Sequence, residues 1–268
     1  MNRYFKSSLV GFEYRHRSDA KSDTGLNTRH CHDRYEIIFV TEGSGRYLIE
    51  GAEFSLKART IAIIRPFEYH CVEVDPNTTY ERYVLHFDAS SVTAEAKEIL
   101  QNLGGASLGD SGTYYSSDSI SQLTLSIFDR FKEAENLPEA ERALYVKLVL
   151  SELVLLLSVS NKQRIVHDEC ELGARVAKYV NDFLDKDVSL DVISKRFFVS
   201  KYYLCRAFKK YSGVSIHSYV TNKRVMYAKQ LIEAGETASG AAYKVGFGDY
   251  SAFYRAYVKV LGKPPTSK

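Results

Sequence analysis

"SLDVISKRFFVSKYYLCRAFKKYSG", residues 189–213, reads as a short helix, a turn and a longer helix, and the chain repeats that plan once. The second copy is "TASGAAYKVGFGDYSAFYRAYVKVLG", residues 237–262. Ile193 and Ser194 fall opposite Ala241 and Ala242 at an offset of 48 residues. Leu204, Arg206, Phe208 and Gly213 fall opposite Phe253, Arg255, Tyr257 and Gly262 at an offset of 49, so the second turn carries one extra residue, near Gly248. Each copy has a capping residue ahead of both helices: Ser189 and Ser200 in the first, Thr237 and Asp249 in the second. Between the copies, "IHSYVTNKRVMYAKQLIEA" reads as one continuous helix.

In the second helix of the first copy, Leu204 and Phe208 stand four apart and turn inward. Beyond the Ser200 cap, that leaves Lys201, Tyr202, Cys205, Arg206 and Lys209 along the outer face. The corresponding set in the second copy is Tyr250, Ser251, Tyr254, Arg255 and Lys259. Arginine and lysine suit guanine edges and phosphates, and aromatics pack on sugars and thymine methyls. A connecting rod of about 19 residues is ~28 Å long. With the width of its neighbours it can hold two such helices about one DNA turn (~34 Å) apart. The expected partner is double-stranded DNA, entered at two successive major grooves. The plainer alternative is a helical bundle whose basic faces are only solvated.

Charge supports the first reading. The 268 residues carry a formal net charge of +3. From Gly173 to Lys268 there are 17 Lys and Arg against 7 Asp and Glu, a net of +10; the remainder has 19 against 26, a net of −7. A basic tail on an acidic body points to a polyanion for the tail alone. The four cysteines (31, 71, 170 and 205) form no CxxC pair, which suits a reducing cytoplasm. The N-terminal stretch lacks a signal-peptide core, and the most apolar run, "LYVKLVLSELVLLLSVS", is interrupted by Lys147 and Glu152, so no membrane span is expected.

The tail resembles the paired helix-turn-helix domain of AraC/XylS-type transcriptional regulators. The matching elements are Ser200, Leu204, Arg206, Phe208, Gly213, Arg224, Ala228, Gly246, Phe247, Asp249, Phe253, Arg255, Gly262 and Pro265. The resemblance implies that Tyr202, Cys205 and Arg206, and Tyr250, Ser251, Tyr254 and Arg255, meet DNA. It also implies an activator, with RNA polymerase as a further partner. The chain departs from the pattern where isoleucines are usual and Ala238 and Ala241 stand, and where Tyr257 replaces phenylalanine. Gly240 adds a helix cost of about 1 kcal/mol. A smaller second core follows, with the first copy dominating binding.

Upstream, residues 29–88 read as short strands: "YEIIFVTEG", "GRYLIEG", "AEFSLKA", "RTIAIIRP" and "YERYVLHFD". Strands so closely spaced argue for a sandwich or barrel. Within "RHCHDRYE", strand parity would put His30, His32 and Glu36 on one face and Cys31 on the other, the corner of a metal site or the wall of a sensing pocket. "HCHDRYEIIFVTEG" and "PFEYH" are similar to the two cupin motifs, although Arg59-Thr60 stands where Gly-Asp often precedes the second. The similarity implies a barrel in which His30, His32, Glu36 and His70 converge. Four readings follow: hydroxyl-binding groups of a ligand pocket, structural residues, a divalent metal in a sensor, or a metal-dependent enzyme. The attached helical tail argues against catalysis, so no catalytic residue and no obligatory cofactor are expected. Tyr35, Tyr47, Phe54, Tyr69 and Tyr83 could stack on a carbohydrate, and His86 is ambiguous.

After Ser90 the period becomes helical. Ile120, Leu123, Ile127 and Phe131 form one expected stripe, and Pro138 opens a long helix, apolar nearly all round, that must be covered by the body or by a second copy in a homodimer. The expected fold is α+β: a cupin-like β-barrel with appended helices over residues 1–160, for ligand sensing and dimerisation, a linker at 161–172, and an all-α domain of two helix-turn-helix units at 173–268.

Overall fold

The computed structural model describes residues 2–19, 29–103, 113–160 and 172–265. The described residues form two compact units, the second holding residues 172–265 and the first most of what precedes it. The expected linker, apart from Leu172, lies outside the described residues.

The first unit holds β1 (Arg3–Ser7), β2 (Phe12–Asp19), β3 (Tyr35–Glu42), β4 (Gly45–Ile49), β5 (Ala52–Leu56), β6 (Thr60–Ile64), β7 (His70–Val74), β8 (Tyr80–Phe87) and β9 (Thr113–Tyr115). They form a six-stranded sheet in the order β1-β2-β8-β3-β6-β9 and a three-stranded sheet in the order β5-β4-β7, antiparallel throughout. The central strands β3 and β6 are apolar on both faces because both are covered, as continuous apolar runs of that length imply. One face carries Ile37, Phe39, Ile61, Ile63, Leu85 and Phe87 against the helices. The other carries Ile38, Val40, Ala62 and Ile64 against Tyr47, Ile49, Phe54 and Leu56 of the small sheet. The β part is thus two facing sheets with an apolar layer between them. Strands β1, β2, β7 and β9 were not foreseen.

Three helices cover the large sheet: α1 (Ala94–Leu103), α2 (Gln122–Arg130) and α3 (Glu139–Val159). In α2 the cap is Ser121, whose hydroxyl accepts from the Thr124 amide, so Ile120 precedes the helix and Phe131 follows it. Of the expected stripe, Ile120, Ile127 and Phe131 are buried, with Leu125 and Phe128 beside them; Leu123 is 56% exposed, which corrects the expectation at that one position. Pro138 sits one residue earlier than expected, as the cap of α3. The Arg142 guanidinium fastens the start of α3, donating to the carbonyls of Lys6, Ala134, Glu135 and Leu137. The Glu139 carboxylate accepts from the Ser7 hydroxyl and the Leu9 amide. Further along α3, Val146, Val149, Leu150, Leu153, Val154 and Leu157 pack into the core. Its other face leaves Leu144, Leu148, Leu155 and Val159 exposed by 61%, 56%, 50% and 77%.

The second unit is helical: α4 (Leu172–Asp182), α5 (Leu190–Arg196), α6 (Lys201–Ser212), α7 (Ile216–Glu233), α8 (Ala238–Lys244) and α9 (Tyr250–Leu261). Each expected cap is made. The Ser189, Ser200, Thr237 and Asp249 side chains accept from the amides of Val192, Tyr203, Gly240 and Ala252. Among the described residues, no helix is long and apolar enough to cross a membrane.

Candidate functional site

In α6, Leu204 and Phe208 are fully buried, so the helix can present only its other face. Lys201, Tyr202, Cys205, Arg206 and Lys209 all lie on that face and are exposed, with Ser200 at its head. The Arg206 guanidinium sits over the Tyr202 ring, 5.8 Å from its centroid, a cation–π contact that restrains the arginine before it meets a ligand. Lys201 is differently placed: its ammonium is 2.6 Å from Asp191, and that hydrogen bond holds the Asp191 carboxyl below its ordinary pKa. A phosphate must therefore compete with Asp191 for Lys201.

In α9, Phe253 and Tyr257 are buried with Val225, Ala228, Ile232, Ala241, Ala242 and Val245. Tyr250, Ser251, Tyr254 and Arg255 are exposed, and the two tyrosine rings lie 6.4 Å apart. Ala241 and Ala242 are buried in this core, at the positions where the first copy has Ile193 and Ser194.

Sequence reading gave Arg224 no role beyond a motif match; the structure gives it one. From α7, its guanidinium donates to the carbonyls of Leu184 at 2.8 Å and Lys186 at 2.6 Å, and burial lowers its pKa. Gly246 packs against the same loop at φ +89°. A Cβ there would stand 2.8 Å from the Asp185 carbonyl oxygen and 2.9 Å from an Arg224 nitrogen. Only glycine fits, both for its backbone and for its space. The two helix-turn-helix units are thereby locked through α7.

In the first unit, His30 does not continue a strand into β3, because the chain leaves the sheet at residues 31–32 and bends at 33–34. It makes an isolated bridge with His70 instead, exchanging backbone hydrogen bonds of 3.1 and 2.9 Å. The expected strand parity is therefore absent, yet the side chains still converge. The ligand atoms of His30, His32 and His70 lie within 4.8 Å of one another, and so do those of His32, Glu36 and His86. His86 completes the cluster because it is the register partner of Glu36 across β3 and β8. Alternation along β8 was the signal that could have found it.

The turn before β7 presents His70. The buried Glu68 carboxylate accepts from the Arg65 amide and guanidinium across Phe67, which is held at φ +70°. The Glu68 carbonyl then takes the His70 Nδ1–H at 2.9 Å, directing Nε2 to Glu36. Glu36 Oε2 lies 3.4 Å from His70 Nε2 and 3.0 Å from His86 Nε2. Burial disfavours the charged His70 ring, but the hydrogen bond and charge of Glu36 outweigh it, and its pKa is raised. Among the stacking candidates, Tyr47 and Phe54 face the space between the sheets. Tyr35 and Tyr83 pack on the helical side, so they are not available to a ligand between the sheets. Among the described residues the buried Tyr47 hydroxyl has no hydrogen-bond partner, and burial, with Glu36 next, raises its pKa well above the ordinary value.

Comparison with known families bears on both constellations. The family model for the AraC-like ligand binding domain matches residues 15–148, half of the chain, and a helix-turn-helix domain model matches residues 193–267. The chain belongs to the AraC-like family. It is a DNA-binding transcriptional regulator with a ligand-binding domain, and the enzyme reading of the histidines falls away. Curated relatives include the HTH-type transcriptional activator RhaS of Enterobacter sp. (strain 638), 24% identical over 231 residues, covering 84% of this chain and 81% of the relative. RhaS of Escherichia coli O139:H28 is 22% identical over 227 residues, with the same coverage. Among solved structures, fatty-acid-bound ToxT from Vibrio cholerae covers 95% of this chain and 93% of its own at 14% identity and a TM-score of 0.41. The C-terminal domain of AraT from Geobacillus stearothermophilus covers 37% of this chain and 84% of its own at 24% identity and a TM-score of 0.35.

Proposed function

We propose that this AraC-family regulator is a cytoplasmic activator switched by a small polyhydroxylated effector, a carbohydrate by chemical class. The effector binds between the two sheets of the sensor. The observation that carries the reading is Glu36, a buried carboxylate shared by the imidazoles of His70 and His86 on the inner sheet face. Such a group accepts from hydroxyls, the neighbouring rings can donate or accept, and Tyr47 and Phe54 offer aromatic faces in the same apolar layer. The relatives' description as activators supports the sign of control. Residues 1–160 serve as the sensor, 161–172 as linker and 173–268 as the DNA reader, with Ser200, Lys201, Tyr202, Cys205, Arg206 and Lys209 and Tyr250, Ser251, Tyr254 and Arg255 as the reading residues.

Pairing of two copies belongs to the same proposal. Leu144, Leu148, Leu155 and Val159 recur at spacings of four, seven and four, within one narrow stripe of α3. Spacing of that kind makes a helix–helix seam. A homodimer through α3 would bring two readers to one operator, where RNA polymerase is then recruited.

A thermal-shift screen of sugars and related polyols tests the effector. A compound that stabilises the wild-type chain but not Glu36→Gln supports the reading, and stabilisation indifferent to Glu36 and His70 refutes it. A second reading, a divalent transition metal as part of the effector site, is favoured by the two overlapping donor groups that share His32. The tether from His70 Nδ1 to a carbonyl is also the outer arrangement that orients metal-binding histidines. Stoichiometric iron, manganese or zinc in tag-free protein, lost on His70→Ala, would favour it.

A further inference from the structure

The reading helices leave unexplained a groove of about 850 Å³ within the helical unit. One wall is the 185–190 loop with the first turn of α5; the other is the 246–248 turn with Ala252, Arg255 and Ala256 of α9. Its floor is the first half of α7, where His217, Val220, Thr221 and Arg224 follow at one-turn intervals. The walls therefore belong to different helix-turn-helix units: the first helix of one and the recognition helix of the other. In a docked helix-turn-helix, the first helix crosses the phosphate backbone and the N-terminal half of the second enters the major groove. Both parts bordering this groove are thus parts that meet the duplex.

We infer that the groove between the two units seats the DNA backbone crossing from one major groove to the next, with Thr221 and His217 as phosphate-contacting residues of α7. The inference rests on α6 and α9 being the reading helices, and adds a contact that neither helix supplies. Arg255, exposed and in the groove wall, can turn to a phosphate on one side or a base on the other. His217 is exposed and Thr221 half-buried, so both are within reach of a strand laid along α7. The groove is not uniformly basic. Asp185 pairs with Lys186 at 2.8 Å, and Asp187 accepts from the Ser189 amide at 2.8 Å. These carboxylates sit in the 185–190 wall and would repel a phosphate there, which directs the strand to the wall that carries Arg255. The unit's net charge of +10 supplies the attraction.

The test is a gain of function in the full-length chain. A site is first obtained by random-oligonucleotide selection, and binding is then followed by fluorescence anisotropy against salt. Thr221→Arg places one more cation in the groove. Each phosphate neutralised steepens the log–log salt slope by about 0.9, equivalent to about eightfold tighter binding at 0.1 M salt. Because the contact carries no base information, the gain should appear equally on the selected site and on unrelated duplex. His217→Glu should weaken both alike, and ethylation of phosphates midway between the two protected major grooves should block binding. Wild-type affinity and slope in Thr221→Arg, with no such ethylation interference, would overturn the inference. The same negative result together with thermal stabilisation by inorganic phosphate would reassign the groove to a small anion. Failure of the wild-type chain to enrich any sequence would instead sink the reading-helix assignment itself, a distinguishable outcome.

Discussion

Three glycines allow the lock between the helix-turn-helix units to be tested by one kind of change, Gly→Ala. At Gly248 the backbone is not left-handed and a Cβ would meet none of the described residues within 4 Å, so alanine should be neutral. At Gly235, φ is +100° and a Cβ again meets none of them, so alanine carries backbone strain alone, about 1–2 kcal/mol. At Gly246 the strain at φ +89° is joined by contacts of 2.8 Å to the Asp185 oxygen and 2.9 Å to Arg224. Something must move, and the part closest to yielding is the Arg224 grip on the Leu184 and Lys186 carbonyls. One hydrogen bond from a charged donor contributes about 1.5–3 kcal/mol, so Gly246→Ala should cost about 3 kcal/mol or more. Hydrogen exchange of peptides from α8 and α9 reads this locally, without interference from the sensor unit. The expected acceleration is about 150-fold for Gly246→Ala, about tenfold for Gly235→Ala and none for Gly248→Ala, at 1.4 kcal/mol per decade. Equal effects at Gly246 and Gly235 would refute the lock, and a large effect at Gly248 would refute the geometric reasoning as a whole.

Arg206→Ala should cost about 1–3 kcal/mol at the selected site, read by titration against labelled duplex; unchanged affinity would remove α6 as a reader. His70, whose pKa is raised in the folded chain, contributes stability that is full below its unfolded value of about 6.5 and fades as pH rises through the folded value. The denaturant midpoint of the sensor should therefore fall over that range, and Glu36→Gln should flatten the fall. Leu148→Glu combined with Leu155→Glu should leave a folded monomer by light scattering; retention of a dimer would exclude the α3 seam.

Legibility followed how local each signal was. The helix-turn-helix units were readable because caps, inward pairs and stop glycines lie within about 25 residues of one another, and every expected cap is formed. β3 and β6 were readable because strands covered on both faces become unbroken apolar runs. β2 was missed although it alternates, because its inner face is charged. Glu13 and Arg15 pair with each other within β2, and Arg82 on β8 pairs with Asp19, so ion pairs neutralise what sequence presents as a polar loop. The histidine cluster was legible as a set and not as a geometry. Parity assumed a strand through residues 30–36, whereas His30 is held by His70 across a bridge and Glu36 by the register of β8. Alternation could put His86 on the inner face of β8, but its pairing with Glu36 needed the register of β3 with β8. Arg224 could not be valued from sequence either, since its partners are backbone carbonyls some 40 residues away.

The two readers are unequal, and the lock makes that inequality useful. The first has a neutral Ser200 cap and a Leu204–Phe208 core; the second has a carboxylate cap, Asp249, at the end that enters DNA, and a core that buries Ala241 and Ala242. Alone, the second should bind weakly, because its cap repels phosphate as its tyrosines and Arg255 approach. Joined by a rigid α7 it need not bind alone: once α6 is seated, α9 meets the next groove at high effective concentration, with little further loss of rotational freedom. A flexible tether would forfeit much of that gain, whereas Arg224 and Gly246 remove the flexibility at the point where the units meet. The consequence reaches regulation. If the spacing between α6 and α9 is fixed within the reader, an effector in the sensor has no spacing to adjust and must act on the reader as a whole. Its access to DNA, or the pairing of two copies through α3, is then where a coupling of about 1–3 kcal/mol is exerted.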